Sequence, residues 1–87
     1  MKFLLEPMHE THLLGNIFQY LDKEEKQSSR KIKKIYLSLS EFGGTSEEHF
    51  RAHYKVASQG TRWESLNIEI KKIPFGPELE ITRLDFE

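Results

Sequence analysis

Cysteine is absent from the 87 residues, which excludes disulfides, thiol nucleophiles, iron–sulfur ligation and every thiolate zinc site. Any metal must therefore be held by nitrogen and oxygen. An excess of charge of one sign is missing too: thirteen Lys and Arg stand against fourteen Asp and Glu, a formal net charge of −1, so nothing implies general attraction to nucleic acid or an anionic membrane. Long apolar runs are lacking, and the opening Met1-Lys2-Phe3-Leu4-Leu5-Glu6-Pro7 is too short a stretch for a signal peptide, so a cytoplasmic protein is expected. There is no glycine-rich phosphate loop, no Ser/His/Asp set in a recognisable context and no close carboxylate pair in an apolar setting, which argues against an enzyme. The length allows one small domain that buries roughly 60–65% of its unfolded surface, so a surface site is expected rather than a deep cleft.

What is present is periodicity. From about His9 to Lys26 the residues Leu13, Leu14, Ile17, Phe18 and Leu21 form one stripe of an amphipathic helix, followed by a polar exit over Asp22 to Arg30. From Lys31 the period becomes two, with Ile35, Leu37 and Leu39 alternating against Tyr36, Ser38 and Ser40 as a half-buried strand. After Gly43-Gly44, the run Thr45-Ser46-Glu47-Glu48 has the form of a capping box and opens a second helix through Phe50, Tyr54 and Ala57, with Gly60 at its C-cap. A strand over about Leu66 to Ile73, a turn at Pro74-Phe75-Gly76-Pro77 and a last strand from Glu78 to Glu87 follow. A bulge near Thr82-Arg83 explains the phase shift from Leu79 and Ile81 to Leu84 and Phe86. The expected fold is α+β: two helices on one face of a small three- or four-stranded, mostly antiparallel sheet in the order α-β-α-β-β, with Met1 to Leu5 as a candidate added edge strand.

Four histidines carry the chemistry, paired as His9 with His12 and His49 with His53, and both spacings put two rings on one helical face. His9-Glu10-Thr11-His12 lies at a helix start, where imidazoles can reach one ion beside Glu10; a thiolate-free set of this kind suits nickel(II), copper(II) or zinc, although on bare spacing such histidines are more often surface residues. His49 and His53 flank Phe50 and Tyr54, a rim position by default; with Glu48 they are also the sole candidate general base. The basic run Arg30-Lys31-Ile32-Lys33-Lys34 is first a solvated approach to a strand and second a contact for an acidic partner, and no interleaved aromatics support nucleic-acid stacking. Tyr36, Trp63 and Phe75 are isolated exposed candidates; Trp63 packs over the rim of the core or, alternatively, marks an interface.

Met8-His9-Glu10 opening a helix, a strand ending Leu37-Ser38-Leu39-Ser40-Glu41-Phe42-Gly43-Gly44, and a helix with Phe50 and Tyr54 together resemble the HypA (HybF) nickel-insertion family. Trp63-Glu64-Ser65-Leu66-Asn67-Ile68-Glu69-Ile70 resembles that family's second strand, and Gly76-Pro77-Glu78-Leu79-Glu80-Ile81-Thr82-Arg83-Leu84-Asp85-Phe86-Glu87 its final one. The resemblance covers Met8 to Glu87. It implies a factor that helps mature hydrogenases and, in some organisms, urease, with nickel held by the N-terminal amine, backbone nitrogens and imidazole of a Met-His-Glu motif, which falls here on Met8, His9 and Glu10.

Three departures shape what is expected. The family's zinc domain of two Cys-x-x-Cys pairs has only Pro74-Phe75-Gly76-Pro77 in its place, so no zinc is expected. Residues 1–7 form an extension ahead of a single domain over 8–87, so the nitrogen of Met8 is a peptide nitrogen unless translation begins there. An aspartate that lies near the nickel in some members falls at Ser46. His12, one turn on, is placed to replace a lost ligand, which gives Met8, His9, Glu10 and His12 as the metal-site candidates. The reading is a metallochaperone for hydrogenase or urease, without bond chemistry of its own, docking a maturation GTPase (HypB-like) or a nickel-enzyme subunit such as the hydrogenase large subunit. Its rival is a metal-free protein-interaction module on the same fold. An exposed last strand also allows pairing across a homodimer.

Overall fold

Leu14, Ile17 and Leu21 recur at three- and four-residue spacing, which on a helix gathers them on one face, and that face is buried with Phe18 packed beside it. They belong to α1 (Glu10–Ser28). A computed structural model of the chain describes residues 3–5, 10–41 and 46–87, with side chains for all of these but 3–5 and 10–13. Helix α1 continues through the segment expected to be a loop from Asp22 onward. The charged residues there are good helix formers. Lys26 pairs with Asp22 one turn back at 3.0 Å, Glu24 is buried, and a Glu25 carboxylate oxygen accepts the amide of Ile32 at 2.8 Å. The helix stops where Ser29 turns left-handed (φ 58°) and its amide donates to the Glu25 carbonyl at 2.9 Å.

The chain then reverses into β2 (Ile32–Ser40), the centre of the sheet. Ile35, Leu37 and Leu39 point to the helix side as the alternation requires, and all three are buried. Ser38 and Ser40 on the other face are buried as well, because a central strand has neighbours on both sides. Helix α2 (Glu47–Ser58) follows. Its cap is not at Thr45, which lies outside the described residues. Ser46 is the N-cap, with extended backbone and a hydroxyl that accepts the His49 amide at 3.0 Å. That bond is worth about 1 kcal/mol. Phe50, Tyr54 and Ser58 form the buried stripe, whereas Ala57 is exposed. Gly60 has the positive φ of +75° expected just beyond the helix end.

Strands β3 (Asn67–Ile73) and β4 (Leu79–Phe86) flank β2, so the Pro74–Pro77 turn crosses the end of β2 rather than closing a hairpin. Two backbone bonds pin the crossing, from Ser40 N to Glu78 O at 3.1 Å and from Glu41 N to Ile73 O at 2.8 Å. With β1 (Phe3–Leu5) the sheet has four strands in the order β1-β4-β2-β3. The candidate edge strand does join the sheet, antiparallel to β4, and β4 is antiparallel to β2. The β2–β3 pair is parallel, because α2 carries the chain back to the side of the sheet from which β2 started. The expected bulge is present: β2 pairs Tyr36 with Arg83 and Leu37 with Ile81, which leaves Thr82 as the extra residue.

Trp63 is a core residue, 7% exposed, rather than a rim or interface residue. The buried Tyr54 hydroxyl donates to its carbonyl at 2.6 Å, and burial pushes the Tyr54 phenol pKa well up.

Candidate functional site

Both helices run opposite to β2, so they are parallel to each other and both start at the end of the sheet where β2 finishes at Ser40. They meet at Phe18 and Tyr54, whose rings pack edge-on at 5.7 Å. The topology thus brings the start of α1 at Glu10 and the start of α2 at Glu47 to one end of the molecule. Of the four metal-site candidates, Met8 and His9 lie outside the described residues. Glu10 and His12 sit in the first turn of α1, with side chains outside the description. Ser46, where the resemblance leads one to look for an acidic ligand, is engaged as the cap of α2, and the adjacent Glu47 pairs with Arg51 at 3.0 Å. The His49 and His53 rings stand side by side on α2 with centroids 4.5 Å apart. Among the described residues no group of three or more His, Asp or Glu is placed to hold an ion.

The face of the sheet away from the helices is polar and internally neutralised. Lys34 pairs with Glu69 at 3.0 Å, and the Tyr36 hydroxyl donates to Asp85 at 2.7 Å. Arg83 donates to the same carboxylate at 2.9 Å, and the cations of Lys34 and Arg83 lie 4.7 Å and 5.1 Å from the centre of the Tyr36 ring. Tyr36 is therefore partnered on several sides. The basic run begins the strand as expected, with Arg30 donating to the Glu87 carbonyl at 2.8 Å. The Tyr36 hydrogen bond, followed by that of Arg83, holds the Asp85 carboxyl below its ordinary pKa. A depressed carboxylate stabilises the fold above its unfolded pKa, and that contribution is lost as pH falls through the folded value. Below about pH 4, Asp85→Asn should therefore lose less stability per pH unit than the parent in urea unfolding. Equal slopes would show that the Asp85 bonds do not couple to folding.

Sequence reasoning missed two arginines. Arg62 joins Asp22 and sits 3.2 Å from Glu25 while lying 4.4 Å over the Trp63 ring, which fastens the segment after α2 to α1. Arg51 donates to the Ile68 carbonyl of β3 at 3.1 Å. Both contacts join residues far apart in sequence and leave no local pattern. Phe75, on the turn that crosses β2, is 81% exposed, as expected. Two shallow hollows of about 380 and 390 Å³ lie among the described residues, one between α2 and the start of β3 and one between Trp63 and the start of β2. Neither contains a metal-ligand set.

A family model described as hydrogenase/urease nickel incorporation, metallochaperone, HypA matches residues 8–78. The hydrogenase maturation factors HypA of two strains of Acidithiobacillus ferrooxidans, ATCC 53993 and ATCC 23270, are each 29% identical to this chain over 68 residues. The matched stretch is 77% of this chain and 60% of each relative, so the chain spans less than two thirds of their length. Members of the matched family are maturation factors rather than catalysts. With the match running from the start of the Met8-His9-Glu10 motif through β3 to Glu78, the chain belongs to the HypA family.

Proposed function

We propose that this chain carries nickel(II) as cargo for the assembly of a hydrogenase or urease, holding the ion at Met8, His9, Glu10 and His12 and passing it to a maturation partner in the cytoplasm. The observation that carries the reading is the family match, which opens on Met8 and so sets Met8-His9-Glu10 at the head of the matched domain. Two imidazoles and a carboxylate within four residues form a nitrogen-rich, thiolate-free donor set, which favours nickel(II) over magnesium or calcium. A site at a helix start can release its ion to a partner without unfolding. A GTPase of the HypB type or the nickel-enzyme subunit itself is the partner of matching role. With no cysteine in the chain, the domain does this without a zinc ribbon.

Calorimetric titration with nickel(II) of the chain and of His9→Ala tests the reading. The tighter class of binding is lost in His9→Ala while the circular dichroism spectrum is unchanged; unaltered affinity would refute the site. A second reading, a metal-free interaction module, draws on Ser46, whose hydroxyl caps α2 where a carboxylate ligand would otherwise stand. On that reading, capture of a partner survives His9→Ala and fails when the exposed Phe75 is replaced.

A further inference from the structure

We propose that His49 and His53 form a second metal site, made by side chains alone, for a nitrogen-seeking divalent ion such as nickel(II), copper(II) or zinc(II). They are one turn apart on α2, a helix capped by Ser46 and anchored through buried Phe50 and Tyr54, so their backbone positions are fixed before any ion arrives. The flank they occupy is defined by its opposite: Arg51 reaches β3 on one side of the buried stripe, and helical spacing puts the histidines on the other.

Ring separation is a necessary condition for two imidazoles to share an ion. Bound through nitrogen at about 2.1 Å and at right angles around the metal, two imidazole rings have centroids about 4.5 Å apart. The separation in the structure is 4.5 Å. The pair meets this condition on the helix as it stands. Because no third His, Asp or Glu is gathered with them among the described residues, the remaining coordination positions fall to water, and the bound ion exchanges readily. The pair lies near the start of α2, at the end of the molecule where α1 also begins. It can hold an ion whether or not His9 does, so the inference does not rest on the proposed function.

The test uses the full chain and nickel(II) alone. In the His9→Ala variant one equivalent of nickel remains by calorimetry, the amide signals of residues 47–55 broaden because octahedral nickel(II) is paramagnetic, and adding His53→Gln or His49→Gln abolishes both effects. The glutamine variants keep a helix-favouring residue at a surface-facing position, and a circular dichroism spectrum matching the parent confirms folding. No remaining equivalent in His9→Ala, or broadening that survives both glutamine substitutions, overturns the site. Loss of one and the same equivalent by His9→Ala alone and by His53→Gln alone would overturn it too, since that would be a single shared ion.

Discussion

A chain shortened to begin at Met8 binds nickel(II) more tightly than the chain that carries residues 1–7, by about tenfold or more, equivalent to about 1.4 kcal/mol, and it is less stable. Both effects arise from one peptide bond. In the longer chain the nitrogen of Met8 is an amide, its lone pair delocalised into the Pro7 carbonyl, and it cannot begin a planar nitrogen chelate unless it loses its proton. A free amine at the same atom donates at once and anchors the ion, and the deprotonated backbone nitrogens of His9 and Glu10 with the His9 imidazole complete a square field of the kind nickel(II) favours. The same cut removes β1, which pairs Phe3 with Ile81, Leu4 with Glu80 and Leu5 with Leu79. Losing that short ladder costs about 1–3 kcal/mol and turns β4 into an edge. Titration and urea unfolding of the two chains read the two effects separately. A planar ion is diamagnetic and yellow, which distinguishes it from an octahedral ion on side chains. Equal affinity in both chains, lost with His9→Ala, would assign the ion to His9, Glu10 and His12 without the amine. Absence of nickel binding by either would favour the metal-free module.

The fold was legible where a single period ran unbroken. The α1 stripe, the alternation of β2, the left-handed Gly60 and the bulge at Thr82 all follow from spacing, since a bulge must shift the phase from Ile81 to Leu84. Strand partnership was not legible, because a period of two says which face is buried and nothing about which neighbour pairs or in which direction; hence the parallel β2–β3 pair. The cap of α2 was misplaced by one residue because Thr45 and Ser46 are both good caps, and only the bond from the His49 amide decides between them. The polar end of α1 read as loop because charge and serine content mark solvation, while helicity there is secured by the Asp22–Lys26 pair and by Glu25 reaching the start of β2.

The candidate site is a proposal of a different kind. Bare spacing makes His9 with His12 and His49 with His53 equivalent, two pairs on helical faces. The resemblance bears on His9 alone, through the Met-His-Glu motif, and the ring separation on α2 bears on the second pair. Neither signal is contained in composition. That His12 and the His49–His53 pair sit on parallel helices that start at one end of the molecule is a consequence of topology, and it depends on the crossover through α2 that periodicity does not reveal.

Trp63→Ala is expected to lower stability by about 3–5 kcal/mol, a large share of the roughly 4–13 kcal/mol available to a domain of this length. The side chain is buried in the main core, and its segment has few other anchors: Thr61 bonding back to the Ser58 carbonyl at 2.7 Å, Arg62 over the indole, and the Tyr54 hydroxyl on the Trp63 carbonyl. Tyr54→Phe removes only that last bond and leaves the Trp63 carbonyl with the Leu66 amide at 3.2 Å as its donor, a cost of about 0.5–1.5 kcal/mol. The two substitutions should not add. Once the indole is gone, the segment after α2 lifts and its carbonyl is hydrated, so removing the Tyr54 hydroxyl from Trp63→Ala costs little further. Urea unfolding of the parent, the two single variants and the double variant measures this coupling. Full additivity would mean that the 59–66 segment stays seated without its tryptophan, and that Arg62, through Asp22 and Glu25 of α1, is enough to hold it there.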